Sequence, residues 1–152
     1  SMTYNEAGGE MLILAVAPPA SRVVPTTGGS GEGWSIWACD VPLSNTWVEK
    51  PRSASSPPTS RYYALAADSA SFRLILFGGV DAQGAVRDDT WVYDPIAGAW
   101  RMASAGTPDG PEGRVDHAMV HDRTTRSMIM FGGRSAPGRD ADIPNATWEY
   151  RP

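Results

Sequence analysis

The clearest pattern along the chain is a short, unbroken apolar run that ends in a pair of glycines. Leu74-Ile75-Leu76-Phe77-Gly78-Gly79 and Met128-Ile129-Met130-Phe131-Gly132-Gly133 share this form and lie 54 residues apart. Neither run alternates between apolar and polar residues. A strand with successive apolar positions is one that buries both of its faces. An aspartate precedes each Phe by nine residues, Asp68 in one case and Asp122 in the other. An aromatic run follows each: Thr90-Trp91-Val92-Tyr93-Asp94, then Thr147-Trp148-Glu149-Tyr150. The spacing predicts four short strands per unit, here termed a to d. In the middle unit they fall at Tyr62–Ala67, Phe72–Phe77, Thr90–Tyr93 and Ala99–Met102.

A degenerate third copy stands at the front. Asn5 takes the aspartate position, Met11-Leu12-Ile13-Leu14 the apolar run, and Ala15-Val16 the glycine pair. Ile36-Trp37-Ala38-Cys39-Asp40 then matches Thr90 to Asp94, and Trp47 matches Trp100. Self-similarity at this period marks a repeat architecture. The chain reads as one domain, 1–152, with repeats over about 2–50, 58–103 and 113–152. Pro/Gly/Ser-rich connectors at Pro51–Ser60 and Ser104–Gly113 separate them. Val80–Asp88, Arg134–Asn145 and Ala17–Gly33 read as b-to-c loops.

A hydrophobic strand ending in Gly-Gly, a Trp-x-Tyr strand and a spaced Trp together resemble the kelch repeat. The residues that carry this resemblance are Gly78, Gly79, Trp91, Tyr93, Trp100, Gly132, Gly133, Trp148 and Tyr150. It implies an all-β fold, a kelch-type β-propeller arc of about three four-stranded antiparallel blades. The first blade is cut within strand a and the third ends after strand c. Fewer than four blades do not close a ring, so the arc is expected to be completed by oligomerisation. The expected partner is a second copy, in a six-bladed ring, or another propeller fragment. Trp91 and Trp148 are sized to wedge between blades. The Gly pairs leave room for close backbone approach or positive φ.

In the kelch family the a strands line a central channel. The resemblance therefore makes Arg61, Tyr62, Arg114 and Asp116 candidates for a ligand-binding surface at the channel mouth. The plainer reading is that each Arg pairs with a nearby carboxylate or carbonyl. The b-to-c loops are a second place for a protein or small-molecule ligand.

Composition narrows the function further. A net charge of −4 lacks the basic patch that nucleic acid or an anionic membrane would need. Gly and Pro number 16 and 13, which suits turns between short strands and not helices. The single cysteine, Cys39, forms no internal disulfide. It falls at the position of Tyr93 and Tyr150, as a packing residue. The longest apolar run, Met11–Ala17, is too short to span a bilayer and follows no basic stretch, so no signal peptide is read. Ser1-Met2 reads as an expression remnant before a start methionine. A cytoplasmic protein is expected.

Residues with chemical potential reduce to structural readings. His117 and His121 lie in one a strand, about 13 Å apart along it, too far to share a metal. Gly28–Gly33 lacks the Lys-Ser/Thr of a phosphate loop. Asp88-Asp89 and Asp140-Ala141-Asp142 lack calcium-loop spacing. Asn145-Ala146-Thr147 matches a glycosylation sequon by pattern alone. The Cys–Tyr cross-link and ligands of galactose-oxidase-like copper propellers are not reproduced. No cofactor, metal or catalytic residue is expected. The leading expectation is a non-catalytic binding and interaction module. The alternatives are an enzyme or enzyme subunit of sugar-modifying or oxidase type, or a purely structural propeller fragment.

Overall fold

The computed structural model describes residues 2–5, 10–17, 33–40, 46–50, 53–58, 60–137 and 145–151; for 2–5, 10–17, 33, 34 and 40 this is the backbone alone. Residues 18–32, which make up most of the first b-to-c loop and hold most of its Gly-rich segment, lie outside these, as does Asp140-Ala141-Asp142. The described residues form strands and turns, with no helix. The strands are β1 (Met2–Asn5), β2 (Glu10–Ala17), β3 (Gly33–Asp40), β4 (Trp47–Glu49), β5 (Ser60–Arg61), β6 (Ala64–Asp68) and β7 (Arg73–Phe77). They continue with β8 (Val80–Asp81), β9 (Thr90–Asp94), β10 (Ala99–Ser104), β11 (Val115–Asp122), β12 (Ser127–Arg134) and β13 (Thr147–Tyr150).

Three antiparallel sheets follow one another along the chain. Sheet 1 has the order β1-β2-β3-β4, sheet 2 the order β6-β7-β9-β10, and sheet 3 the order β11-β12-β13. Each is a meander of sequential neighbours, so the repeat seen in the sequence is a repeat of sheets. The a strand of the middle unit begins at Ala64 and not Tyr62. The reason is local: Tyr62 has φ of 61°, which breaks an extended run. Ahead of it, Ser60-Arg61 pairs instead with Val80-Asp81. This small ladder occupies part of the segment expected to be loop.

The unbroken apolar run of β7 is explained by what lies on each side of sheet 2. Leu74 and Leu76 pack with Trp91, Tyr93 and Trp100, and with Ile36 and Ala38 of sheet 1. Ile75 points the other way, with Ala66 and Val92, onto Met128 of sheet 3. Leu74, Ile75 and Leu76 are each 1% exposed. Burial of such a side chain contributes about 1.5–3 kcal/mol, so this one strand anchors two interfaces. The inner strand β6 sits between β1 and β11. A link at its end reinforces the second contact. His121 Nε2 lies 3.0 Å from Asp68 Oδ1, with both side chains buried, and His121 Nδ1 lies 2.9 Å from Ser69 Oγ.

The aspartate that stands nine residues before each Phe closes a turn, and the same turn recurs at Asp94. Asp68 Oδ1 accepts from the Ala70 N–H, and Asp122 Oδ1 from the Thr124 N–H. Asp94 Oδ1 accepts from the N–H groups of Ile96 and Ala97. Aspartate side chains close turns in this way by mimicking a backbone acceptor. Four residues after each aspartate φ is positive: Phe72 at 61°, Arg126 at 56° and Gly98 at 62°. Only the last is glycine, the residue that adopts this region freely. Arg126 is exposed, so relief of its left-handed conformation outweighs the flexibility that Gly adds to the unfolded chain. Arg126→Gly should raise the melting temperature by about 1–3 °C, roughly 0.5–1 kcal/mol for a domain of this size. A fall in a thermal melt would mean that the Arg126 side chain itself stabilises the turn.

Candidate functional site

The four candidate residues converge at the end of sheets 2 and 3 where the glycine pairs lie. Gly78 and Gly79 have φ of 71° and 93°, and Gly132 and Gly133 of 70° and 88°. A Cβ on Gly79 would stand 2.7 Å from the Arg61 carbonyl, and one on Gly133 2.8 Å from the Val115 carbonyl. The glycines thus admit the a-strand backbone to close range. Two hydrogen bonds then join the sheets: Gly79 N–H to the Arg114 carbonyl at 2.9 Å and Asp116 N–H to the Tyr62 carbonyl at 3.1 Å. Tyr62 and Asp116 are repeat equivalents, and both are left-handed, with φ of 61° and 56°.

The side chains divide into two groups. Arg114 is buried. Its Nη1 donates to the Gly132 carbonyl at 3.1 Å and its Nε to the Glu112 carbonyl at 3.1 Å. Burial lowers its pKa, with the Glu112 carboxylate opposing. This guanidinium ties the connector to the second glycine pair. Arg61, Tyr62 and Asp116 are exposed, and Asp116 pairs with Arg134. They form an exposed mixed-charge strip with one aromatic ring.

Beside this strip the b-to-c loop of sheet 2 is held by charge. Arg87 Nη2 donates to Asp89 Oδ2 at 2.8 Å, and Trp91 Nε1 donates to the same oxygen at 2.8 Å. Burial pushes the Asp89 carboxyl up, but the hydrogen bonds from Arg87 and Trp91 and the Arg87 charge hold it below its ordinary value. In sheet 3 the equivalent of Asp89 is Ala146. Trp148 Nε1 accordingly is buried with no hydrogen-bond partner among the described residues. The substitution is visible in the sequence, yet its effect depends on the indole nitrogen being buried.

His117 is also buried, packed edge-on against Phe77 with ring centroids 5.6 Å apart. Burial, helped by the Arg114 charge and opposed by Asp116, lowers its pKa to about 4. It is a neutral core residue at neutral pH. Cys39 is buried, as a packing residue should be. Asn145 is exposed at the approach to β13.

A cleft that the sequence did not reveal lies between sheets 2 and 3. Its volume is about 320 Å³. Ile75 and Phe77 form one wall, Met128, Met130, Trp148 and Tyr150 the other, and Asp88 and Asp109 are among the residues at its edge. Among the described residues, no Arg, Lys or His lines it. No family model and no curated protein matches the chain.

Proposed function

We propose that the chain is a kelch-type β-propeller arc acting as a non-catalytic binding and interaction module, completed by a second copy of itself. The observation that carries this is the far face of sheet 3. Ala64, Ala66, Ile75 and Phe77 are buried where sheet 2 meets sheet 3. Their repeat equivalents are Ala118, Val120, Ile129 and Phe131. These remain apolar, yet Val120 is 61% and Phe131 54% exposed. A contiguous apolar face of this kind is suited to association.

The second copy is favoured because the chain also offers a complementary surface. Trp47 of sheet 1 is 40% exposed and stands opposite Cys39, whose neighbour Ala38 faces sheet 2, so Trp47 lies on the face turned away from sheet 2. Sheet 3 of one copy on sheet 1 of the next is a head-to-tail contact, and two such contacts close a ring. Ligand recognition is assigned to the exposed strip of Arg61, Tyr62 and Asp116, with Arg114 as its buried support.

Light scattering on the native chain should give the mass of two chains. Phe131→Lys combined with Val120→Lys should give one, with the circular dichroism of a folded β protein retained. A native chain that is monomeric at tens of micromolar sinks the proposal. So does a dimer unaffected by the two lysines.

A further inference from the structure

At the end of sheets 2 and 3 opposite the glycine pairs, three side chains stand in series. Ser69 Oγ lies 2.9 Å from His121 Nδ1, and His121 Nε2 lies 3.0 Å from Asp68 Oδ1. The His121 and Asp68 side chains are 5% and 3% exposed. Ser69 is half-buried at the turn, and exposed Ala70 follows it. A hydroxyl, an imidazole and a carboxylate in this order are the parts of an activated serine. The fold itself does not call for them. The same turn closes at Asp94, which Pro95 follows, and at Asp122, which Arg123 follows, so the turn needs no serine after its aspartate. The repeat equivalent of His121 is Ala67, so the strand needs no imidazole there.

We infer that Ser69 is a nucleophile activated by His121, and that it takes up the acyl group of an activated ester, an aryl ester or a thioester. The carboxylate selects the tautomer. Asp68 faces Nε2, so the proton of the neutral ring belongs on that nitrogen, and Nδ1 is left to accept the Ser69 O–H. The contact of Asp68 with His121 acts through charge. Nε2 has no aligned hydrogen bond among the described residues, but a carboxylate this close favours the imidazolium that forms. Asp68 is itself held in place. Its Oδ1 accepts from the Ala70 N–H at 2.8 Å, and its Oδ2 accepts from the Ser71 hydroxyl. In the step, Ser69 Oγ bonds to the acyl carbon while Nδ1 takes the hydroxyl proton. The bond from that carbon to the leaving oxygen or sulfur breaks, and the leaving group departs with the proton. The product is an ester on Ser69. None of the three residues lines the cleft between sheets 2 and 3, so the acyl donor reaches the turn from solvent, and a small acyl group suits it. One acylation per chain is a modification and not turnover, so it stands beside the proposed binding role and needs no ring closure.

The probe is p-nitrophenyl acetate, incubated with the full native chain at neutral pH and read by intact mass and peptide mapping. One acetyl group on Ser69 is expected. Ser69→Ala should remove it. His121→Gln, whose amide still reaches the hydroxyl but takes up no proton, should slow it roughly tenfold or more. The native chain unfolded in guanidinium should acetylate Ser69 more slowly by a similar factor, because the imidazole is then no longer beside the hydroxyl. No acetyl group on Ser69 overturns the inference. So does a rate that His121→Gln leaves unchanged, or one equal in the unfolded chain, since a merely structural cluster would give either result. The comparison with the unfolded chain uses no variant, so the test holds even where His121→Gln does not fold. Light scattering on the same samples reads self-association separately.

Discussion

Gly78→Ala should destabilise the fold by roughly 2–4 kcal/mol, while the equivalent Gly132→Ala should cost only about 1 kcal/mol. The two glycines have almost the same φ, 71° and 70°, so the left-handed conformation of an alanine costs the same at both. What differs is the surroundings. A Cβ on Gly78 would lie 2.5 Å from the Arg114 carbonyl oxygen and 3.0 Å from His117 Cε1. That oxygen is backbone and already accepts the Gly79 N–H, so relief would require moving β11 away from sheet 2. Around Gly132 nothing among the described residues stands within 4 Å. Urea unfolding midpoints of the two variants against the native chain give the comparison. Equal losses would mean that the close approach at Gly78 does not constrain the fold. The difference is a large part of the roughly 5–15 kcal/mol typical of a domain.

Acidification should weaken the protein in a window set by His117. Its folded pKa is lowered to about 4 from the ordinary 6.5. Between those values the unfolded chain takes up a proton that the folded chain refuses. Stability is therefore complete above about pH 6.5 and declines as pH falls, by up to about 1.4 kcal/mol per pH unit, until it levels near pH 4. The accumulated loss is on the order of 3 kcal/mol. The carboxylates act lower. Burial raises Asp68, but hydrogen bonds from Ser71 and the backbone of Ala70 and Ser71, with the charge of His121, bring it below its ordinary value. Its contribution holds above the usual carboxylate range and is lost as pH falls through its folded value, beneath the histidine window. Stability measured by urea titration at half-unit steps from pH 7.5 to 4 should show the slope. His117→Gln should flatten it, whatever its uniform effect on stability. A slope that survives the substitution assigns the effect to another group.

Much of the fold was legible because its signals are local. The apolar run at Leu74–Phe77, the glycines after it and the aromatic strand at Thr90–Asp94 each state a strand or a turn in a few residues. The double burial of β7 followed from its lack of alternation. The candidate site was legible only in part. The positions of Arg61, Tyr62, Arg114 and Asp116 came from the repeat, and they do meet at one end of two sheets. Arginine looks the same in sequence whether it faces a ligand or a carbonyl, and for Arg114 the structure shows the plainer of those two readings, a guanidinium bonded to the carbonyls of Glu112 and Gly132. Asp68 and Asp122 repeat visibly, but that Asp94 closes the same turn appears only when the side-chain bond and the positive φ four residues later are known. The cleft was least legible, since it depends on which neighbour a sheet lacks. Even the exchange of Asp89 for Ala146, plain in the alignment of repeats, gains meaning only beside a buried indole nitrogen.

The burial of β7 on both faces has a consequence for how its alignment with its neighbours is fixed. In a strand with one wet face, slipping by one residue would expose every apolar side chain, and that penalty keeps the pairing true. Leu74 through Phe77 are apolar at every step, so such a slip would exchange one buried leucine or isoleucine for another and meet little resistance from hydrophobicity. The safeguard must come from the strand's ends. At one end Asp68 closes the turn onto Ala70 and Ser71, and at the other Gly78 tolerates the Arg114 carbonyl where a side chain would collide. Displaced by one position, the aspartate would leave its turn and Phe77 would meet that carbonyl. The polar and glycine residues that flank the core strand thus do the work of alignment that its own side chains, alike on both faces, leave undone.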